Sequence, residues 1–171
     1  QFKNLINLKG QNNRITKIAS EISVLADLEE LDFVNNSITA IPPEIGQLSN
    51  LCKIVLQKNK LTELPDEIGE LGSLNLLYLG GNRLKALPKT IANLSLLTIL
   101  SVFENGLETL PAEIGKLESL TSLNVSSNNL KELPAEIGEL TQLVEFLAMD
   151  NLLAAIPPQL GDLSNIKMID I

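Results

Sequence analysis

Residues 120–140 read LTSLNVSSNNLKELPAEIGEL. Leu123 and Val125 alternate with polar neighbours, as along a strand with one buried face, but Leu130, Leu133, Ile137 and Leu140 keep neither a strand nor a helix period. Asn128 divides the two halves, and Pro134 and Gly138 interrupt the second. What resolves the stretch is its recurrence. Aligned on the asparagine, the chain gives Asn13, Asn36, Asn59, Asn82, Asn105, Asn128 and Asn151, each 23 residues after the last with no insertion. A fixed period of this length marks stacked structural units and overrides any reading of single elements.

Around each asparagine, apolar residues recur at positions −8, −5, −3, +2, +5, +9 and +12; around Asn59 they are Leu51, Ile54, Leu56, Leu61, Leu64, Ile68 and Leu71. Of the 49 such positions in seven repeats, only Gly10 is not apolar. Proline follows at +6 in six repeats, as Pro42, Pro65, Pro88, Pro111, Pro134 and Pro157. Glycine stands at +10 in five, as Gly46, Gly69, Gly115, Gly138 and Gly161, with Ser23 and Ala92 in the other two.

The unit L-x-x-L-x-L-x-x-N-x-L-x-x-L-P-x-x-I-G-x-L resembles a leucine-rich repeat of the 23-residue class, and it runs through essentially the whole chain. The LPxEIGxL form is most similar to intracellular repeat proteins of the Ras group. That resemblance implies an α/β solenoid: a right-handed horseshoe with a parallel sheet on its concave face and short helical or extended segments on its convex face. It also implies a cytoplasmic signalling scaffold with a protein partner such as a small GTPase or a phosphatase; the residues themselves offer no catalytic constellation, and no cofactor is expected.

The physical reading runs alongside. Each repeat offers a short strand, such as 120–125, whose alternate residues point to opposite faces. The asparagine follows where the chain turns, and its amide can satisfy backbone groups of that turn and of the neighbouring repeat, so the seven asparagines are expected to form a structural ladder. Proline at +6 fixes φ and lacks an N–H, which suits an extended segment or the start of a short helix; glycine at +10 permits positive φ or close packing. No single repeat can bury its own apolar face, so the core forms between neighbours.

A net charge of −8 and a pI near 4.6 argue against a nucleic-acid or anionic membrane surface. No apolar run approaches the 18 or so residues of a spanning helix, so no membrane insertion is expected. Cys52 is the only cysteine and the chain has no histidine, so a disulfide within the chain and a histidine-based base or metal site are excluded. Cys52 has only Lys53 as a basic neighbour in sequence, and reads as half-buried packing rather than a reactive thiol. Glu21, Glu44, Glu67, Glu113 and Glu136, all at +8, read as a solvated convex stripe rather than as paired catalytic carboxylates.

Function is therefore expected on the concave face, at positions −6, −4 and −2 of each repeat. A solvated sheet face should be mostly polar. Here Val55, Leu76, Tyr78, Ile99 and Phe103 stand on adjacent rungs, with Leu147 and Met149 as a smaller second patch. Glu30, Asp32, Lys53, Gln57, Lys58 and Glu104 are expected to form a polar rim. Exposed apolar clusters of this kind mark interaction sites, and aromatic residues dominate their energetics. The segment NLLYLGGN, residues 75–82, has the look of a phosphate loop, but it leads from a strand into the asparagine turn, not into a helix N-terminus. Gly80 is expected to leave a notch between Gln57 and Phe103, open to a partner.

The chain reads as a single domain over residues 1–171: seven repeats and part of an eighth. Phe2 falls at +12 of a repeat otherwise absent, and Ile166, Ile169 and Ile171 fill −8, −5 and −3 of the eighth. No polar cap is visible at either end, so a fragment of a longer protein is expected, with self-association through uncapped ends. Two further readings stand beside the scaffold: the recognition part of a larger enzyme such as a kinase, GTPase or ubiquitin ligase, and an extracellular receptor module.

Overall fold

The computed structural model describes residues 4–171; Phe2 lies outside the described residues. Eight strands, β1 (Asn7–Lys9), β2 (Glu30–Asp32), β3 (Lys53–Val55), β4 (Leu76–Tyr78), β5 (Ile99–Ser101), β6 (Ser122–Asn124), β7 (Glu145–Leu147) and β8 (Met168–Asp170), form one parallel sheet in sequence order. Every pairing advances by one repeat: Asn7 lies opposite Glu30, Glu30 opposite Lys53, Lys53 opposite Leu76 and Leu76 opposite Ile99. Constant register follows from the constant 23-residue period, because any slip would turn apolar residues out of the core.

The core is the apolar set read from the sequence. Leu28, Leu31, Ile38, Ile54, Leu61, Leu77, Leu100, Leu123 and Phe146 are among its fully buried members. Of the seven apolar positions in each repeat, those left out of the buried core belong to the first and last repeats: Leu5, Leu8, Ile15, Leu25 and Leu153 are half-buried, and Ile156 is 55% exposed. Gly10, the one gap in the pattern, is compensated from the next repeat. A Cβ on Gly10 would sit 2.5 Å from Cε1 of Phe33, which occupies the same −3 position.

The opposite side of each repeat is a five-residue 3₁₀ helix: Ser20–Val24, Pro43–Gln47, Asp66–Glu70, Lys89–Asn93, Ala112–Lys116, Ala135–Glu139 and Pro158–Asp162. Six of them begin after a proline in extended conformation, with φ from −63° to −71°, which is where a ring-fixed φ and a missing N–H cost nothing. Glycine at +10 serves close approach here. A Cβ on Gly69 would collide with the Thr90 carbonyl oxygen of the next helix, and one on Gly46 would lie 2.8 Å from that of Glu67.

The asparagines tie neighbouring repeats together. Asn59 accepts from the Ile38 N–H through Oδ1 at 2.9 Å and donates from Nδ2 to the carbonyls of Phe33, Leu56 and Gln57. Asn36, Asn82, Asn105, Asn128 and Asn151 each accept from the N–H two positions past the preceding asparagine and donate backward in the same way. Among the described residues, the Asn13 side chain in the first repeat bonds only to Gly10 and Gln11 beside it.

A second ladder, not read from the sequence, runs along position −7. Cys52 Sγ donates to the Glu29 carbonyl at 3.3 Å, Thr98 Oγ1 to Asn75 at 3.1 Å and Thr121 Oγ1 to Thr98 at 3.0 Å. Cys52 is half-buried and substitutes for a threonine hydroxyl in that row.

Candidate functional site

Parallel register sets positions −6 and −4 of each strand in two straight rows across the concave face. The −6 row reads Asn7, Glu30, Lys53, Leu76, Ile99, Ser122, Glu145 and Met168; the −4 row reads Lys9, Asp32, Val55, Tyr78, Ser101, Asn124, Leu147 and Asp170. Position −2, just past each strand, supplies a third row that includes Gly80, Phe103, Ser126 and Met149.

Leu76 and Ile99 are direct partners on β4 and β5, and Tyr78 stands in the same strand as Leu76. These three and Phe103 are partly exposed, forming a contiguous apolar floor. Two residues expected in that floor do not line it. Val55 is only 7% exposed; it is the smaller residue between Asp32 and Tyr78 in the −4 row. Gly80 is buried too, and the expected notch is filled: a Cβ there would overlap the Phe103 ring, with Cδ1 at 2.5 Å. Leu147 and Met149 belong to the repeat of β7, separated from β5 by the polar β6, so strand spacing puts them about 10 Å from the main floor. Met149 is 39% exposed and Leu147 is half-buried.

The rim is structured on one side. Glu30 holds two lysines, Lys9 Nζ at 2.6 Å and Lys53 Nζ at 2.8 Å. Hydrogen bonds from Lys53 and then Lys9 hold the Glu30 carboxyl below its ordinary value, and the Glu30 bond raises Lys53. Asp32 accepts from Gln11 Nε2 at 2.6 Å and from the Val34 N–H at 3.2 Å. Gln57 is half-buried, whereas Lys58 and Glu104 stand exposed. On the far side of the floor, Ser122 donates to Glu145 at 2.7 Å. Ser126, next to Phe103 in the −2 row, keeps a buried hydroxyl with no hydrogen-bond partner.

Lys58 and Glu104 share a feature that sequence reasoning passed over. Residues at −1 turn through the left-handed region in every repeat: Asn12, Asn35, Lys58, Gly81, Glu104, Ser127 and Asp150, with φ between 50° and 69°. Asparagine, aspartate and glycine at four of the seven positions were the available signal, since these residues tolerate that conformation best. The turn fixes the rim to the floor: the Lys58 N–H donates to the Gly80 carbonyl at 2.8 Å, and the Gly81 N–H to that of Phe103 at 2.9 Å.

Family models described as leucine rich repeat match residues 27–84, 49–107 and 119–140. The chain belongs to the leucine-rich repeat family. Among solved structures, this leucine-rich repeat chain is similar to the ectodomain of the Arabidopsis thaliana membrane receptor kinase GASSHO1/SCHENGEN3, solved in complex with CASPARIAN STRIP INTEGRITY FACTOR 2. That match has 35% identity and a TM-score of 0.84, over 93% of this chain and 20% of that one. A leucine-rich repeat protein of Leptospira interrogans matches at 31% identity and TM-score 0.71, over 99% of this chain and 55% of that one. An internalin of Listeria monocytogenes shares the fold at 24% identity and TM-score 0.82, over 98% of this chain and 48% of its own. The chain thus spans between a fifth and just over half the length of these proteins. A search of the curated proteins gives no match.

Proposed function

We propose that this chain is a protein-interaction module that takes a protein partner on its concave face, across β4 and β5. The observation that carries the reading is the contiguous, partly exposed set Leu76, Tyr78, Ile99 and Phe103, on a sheet face that is polar or charged along β1, β2 and β6. Tyrosine and phenylalanine bury large areas at low conformational cost, which suits them to anchor a partner. The setting is an intracellular signalling scaffold, with a small GTPase or a phosphatase as partner. The sequence resemblance to Ras-group repeats supports that setting, as does Cys52, the sole and unpaired cysteine.

The test is direct binding to a panel of Ras-like GTPases, in both nucleotide states, and of phosphatase catalytic subunits. Tyr78→Ala with Phe103→Ala should remove binding of any member captured by the unmodified chain, while circular dichroism retains the native spectrum. Binding unchanged by the double substitution would rule out the concave floor.

The likeness to a receptor-kinase ectodomain favours a second reading, in which this chain is the recognition part of a larger receptor. The full open reading frame separates the two: a secretion signal together with a membrane-spanning segment supports the receptor, and their absence from the complete frame supports the scaffold.

A further inference from the structure

Four of the chain's 13 basic residues, Lys58, Lys60, Arg83 and Lys85, fall within two neighbouring repeats on the turns that leave β3 and β4. All four are exposed. Among the described residues the ion pairs are Lys9–Glu30, Lys53–Glu30 and Lys89–Glu113, so none of the four is neutralised by a bridge. Two of the four, Lys58 and Lys85, lean toward the next repeat. Lys58 Cγ lies 3.4 Å from where a side chain on Gly81 would begin, and Lys85 Nζ lies 3.2 Å from the equivalent point on Gly106. Gly81 and Gly106 thus leave room for the two lysines over the turns that follow β4 and β5. In the following repeat the same rows turn acidic, with Glu104 and Glu108 in the columns of Lys58 and Lys85, and Glu63 stands further out in the repeat of Lys60.

We infer that this basic ledge is the second half of the concave site, and that the partner offers a short acidic run beside an aromatic or aliphatic residue. The inference rests on the binding reading above and specifies the chemistry of its partner. The chain as a whole carries a charge of −8 and repels acidic segments, so the ledge is a local exception that both selects and positions them. Two neighbouring strands lie about 5 Å apart and an extended chain advances about 3.3 Å per residue, so the ledge fits roughly two or three acidic residues. The switch to Glu104 and Glu108 ends the basic run there.

The experiment is selection of a random peptide library displayed on phage against the whole chain, followed by affinity measurements on the synthesised winners. Selected peptides should join an acidic pair or triplet to a large apolar residue. Their affinity should fall about tenfold when Lys58, Lys60, Arg83 and Lys85 are all changed to Glu, and should weaken as salt is raised. All four side chains are exposed, and thermal melts of the variant verify its fold. Winners without acidic residues, affinity within about twofold after charge reversal, or equal binding of a single-stranded oligonucleotide would each overturn the inference. Loss of affinity on charge reversal but not on Tyr78→Ala with Phe103→Ala would keep the ledge and sink the apolar floor; the converse would keep the floor and sink the ledge.

Discussion

The Phe103 ring lies over Gly80, filling the space that a side chain on the preceding repeat would occupy. The two residues are 23 apart, as are Gly10 and Phe33, which make the same exchange on the core side of the sheet. A stacked array conserves volume between neighbouring rungs, so a glycine in one repeat is matched by an enlarged residue in the next.

Gly80→Ala should therefore act through Phe103. The new methyl overlaps the ring, and overpacking of this kind costs about 1–3 kcal/mol; partial exposure of Phe103 gives the ring somewhere to go and puts the expected value near the lower end. In a Phe103→Ala background the same change should cost almost nothing. Urea denaturation of the four proteins in the cycle measures the coupling, and additive effects would show that the ring does not occupy the glycine's space.

The asparagine row predicts a position-dependent loss. Asn59 is 7% exposed and serves four backbone groups, so Asn59→Ala strands buried donors and acceptors and should cost about 2–4 kcal/mol. Asn13 is exposed and, among the described residues, bonds only within its own turn, so Asn13→Ala should cost less than about 1 kcal/mol. Equal losses in chemical denaturation would contradict a ladder that acts between repeats.

On the helical side, Gly69 and Gly161 occupy the same +10 position with opposite surroundings. A Cβ on Gly69 meets the Thr90 backbone, which cannot move aside without parting two repeats, whereas nothing lies within 4 Å of one on Gly161. Gly69→Ala should lower stability by about 1–3 kcal/mol. Gly161→Ala should be within about 0.5 kcal/mol of neutral or stabilise slightly, by restricting the unfolded chain. Differential scanning calorimetry distinguishes the pair.

How far the sequence could be read depended on what a period can encode. Leu56 and Ile68 could be placed in the core and Asn59 at the turn, because a single repeat states their facing and seven restate it. Facing is not depth: Val55 faces the concavity as its row requires, yet it is buried between Asp32 and Tyr78, and burial depends on side-chain sizes in adjacent repeats. Gly80 was misjudged for the same reason, its space belonging to a residue one repeat away. The left-handed turns were masked where Lys58, Glu104 and Ser127 replace the residue types that announce them. The link from Lys9 to Glu30 escaped because it joins position −4 of one strand diagonally to −6 of the next.

That diagonal link gives the chain a pH dependence with a definite sign. Glu30 has its folded-state value lowered by Lys53 and Lys9, so its contribution is complete above the ordinary value of 4.5 and disappears as pH falls through the lower folded value. Lys53 is raised, so its share persists below the ordinary 10.5 and is lost only at still higher pH. Glu30→Gln keeps the shape and deletes both ion pairs. Because Lys9 and Lys53 remain substantially exposed, at 48% and 36%, each pair is worth no more than about 0.5 kcal/mol. The variant should thus be less stable than the unmodified chain by up to about 1 kcal/mol at neutral pH, and the gap should close in acid well below pH 4.5. Urea midpoints taken across that range measure it. A gap that stayed constant into acid would mean that Glu30 contributes by packing rather than by charge.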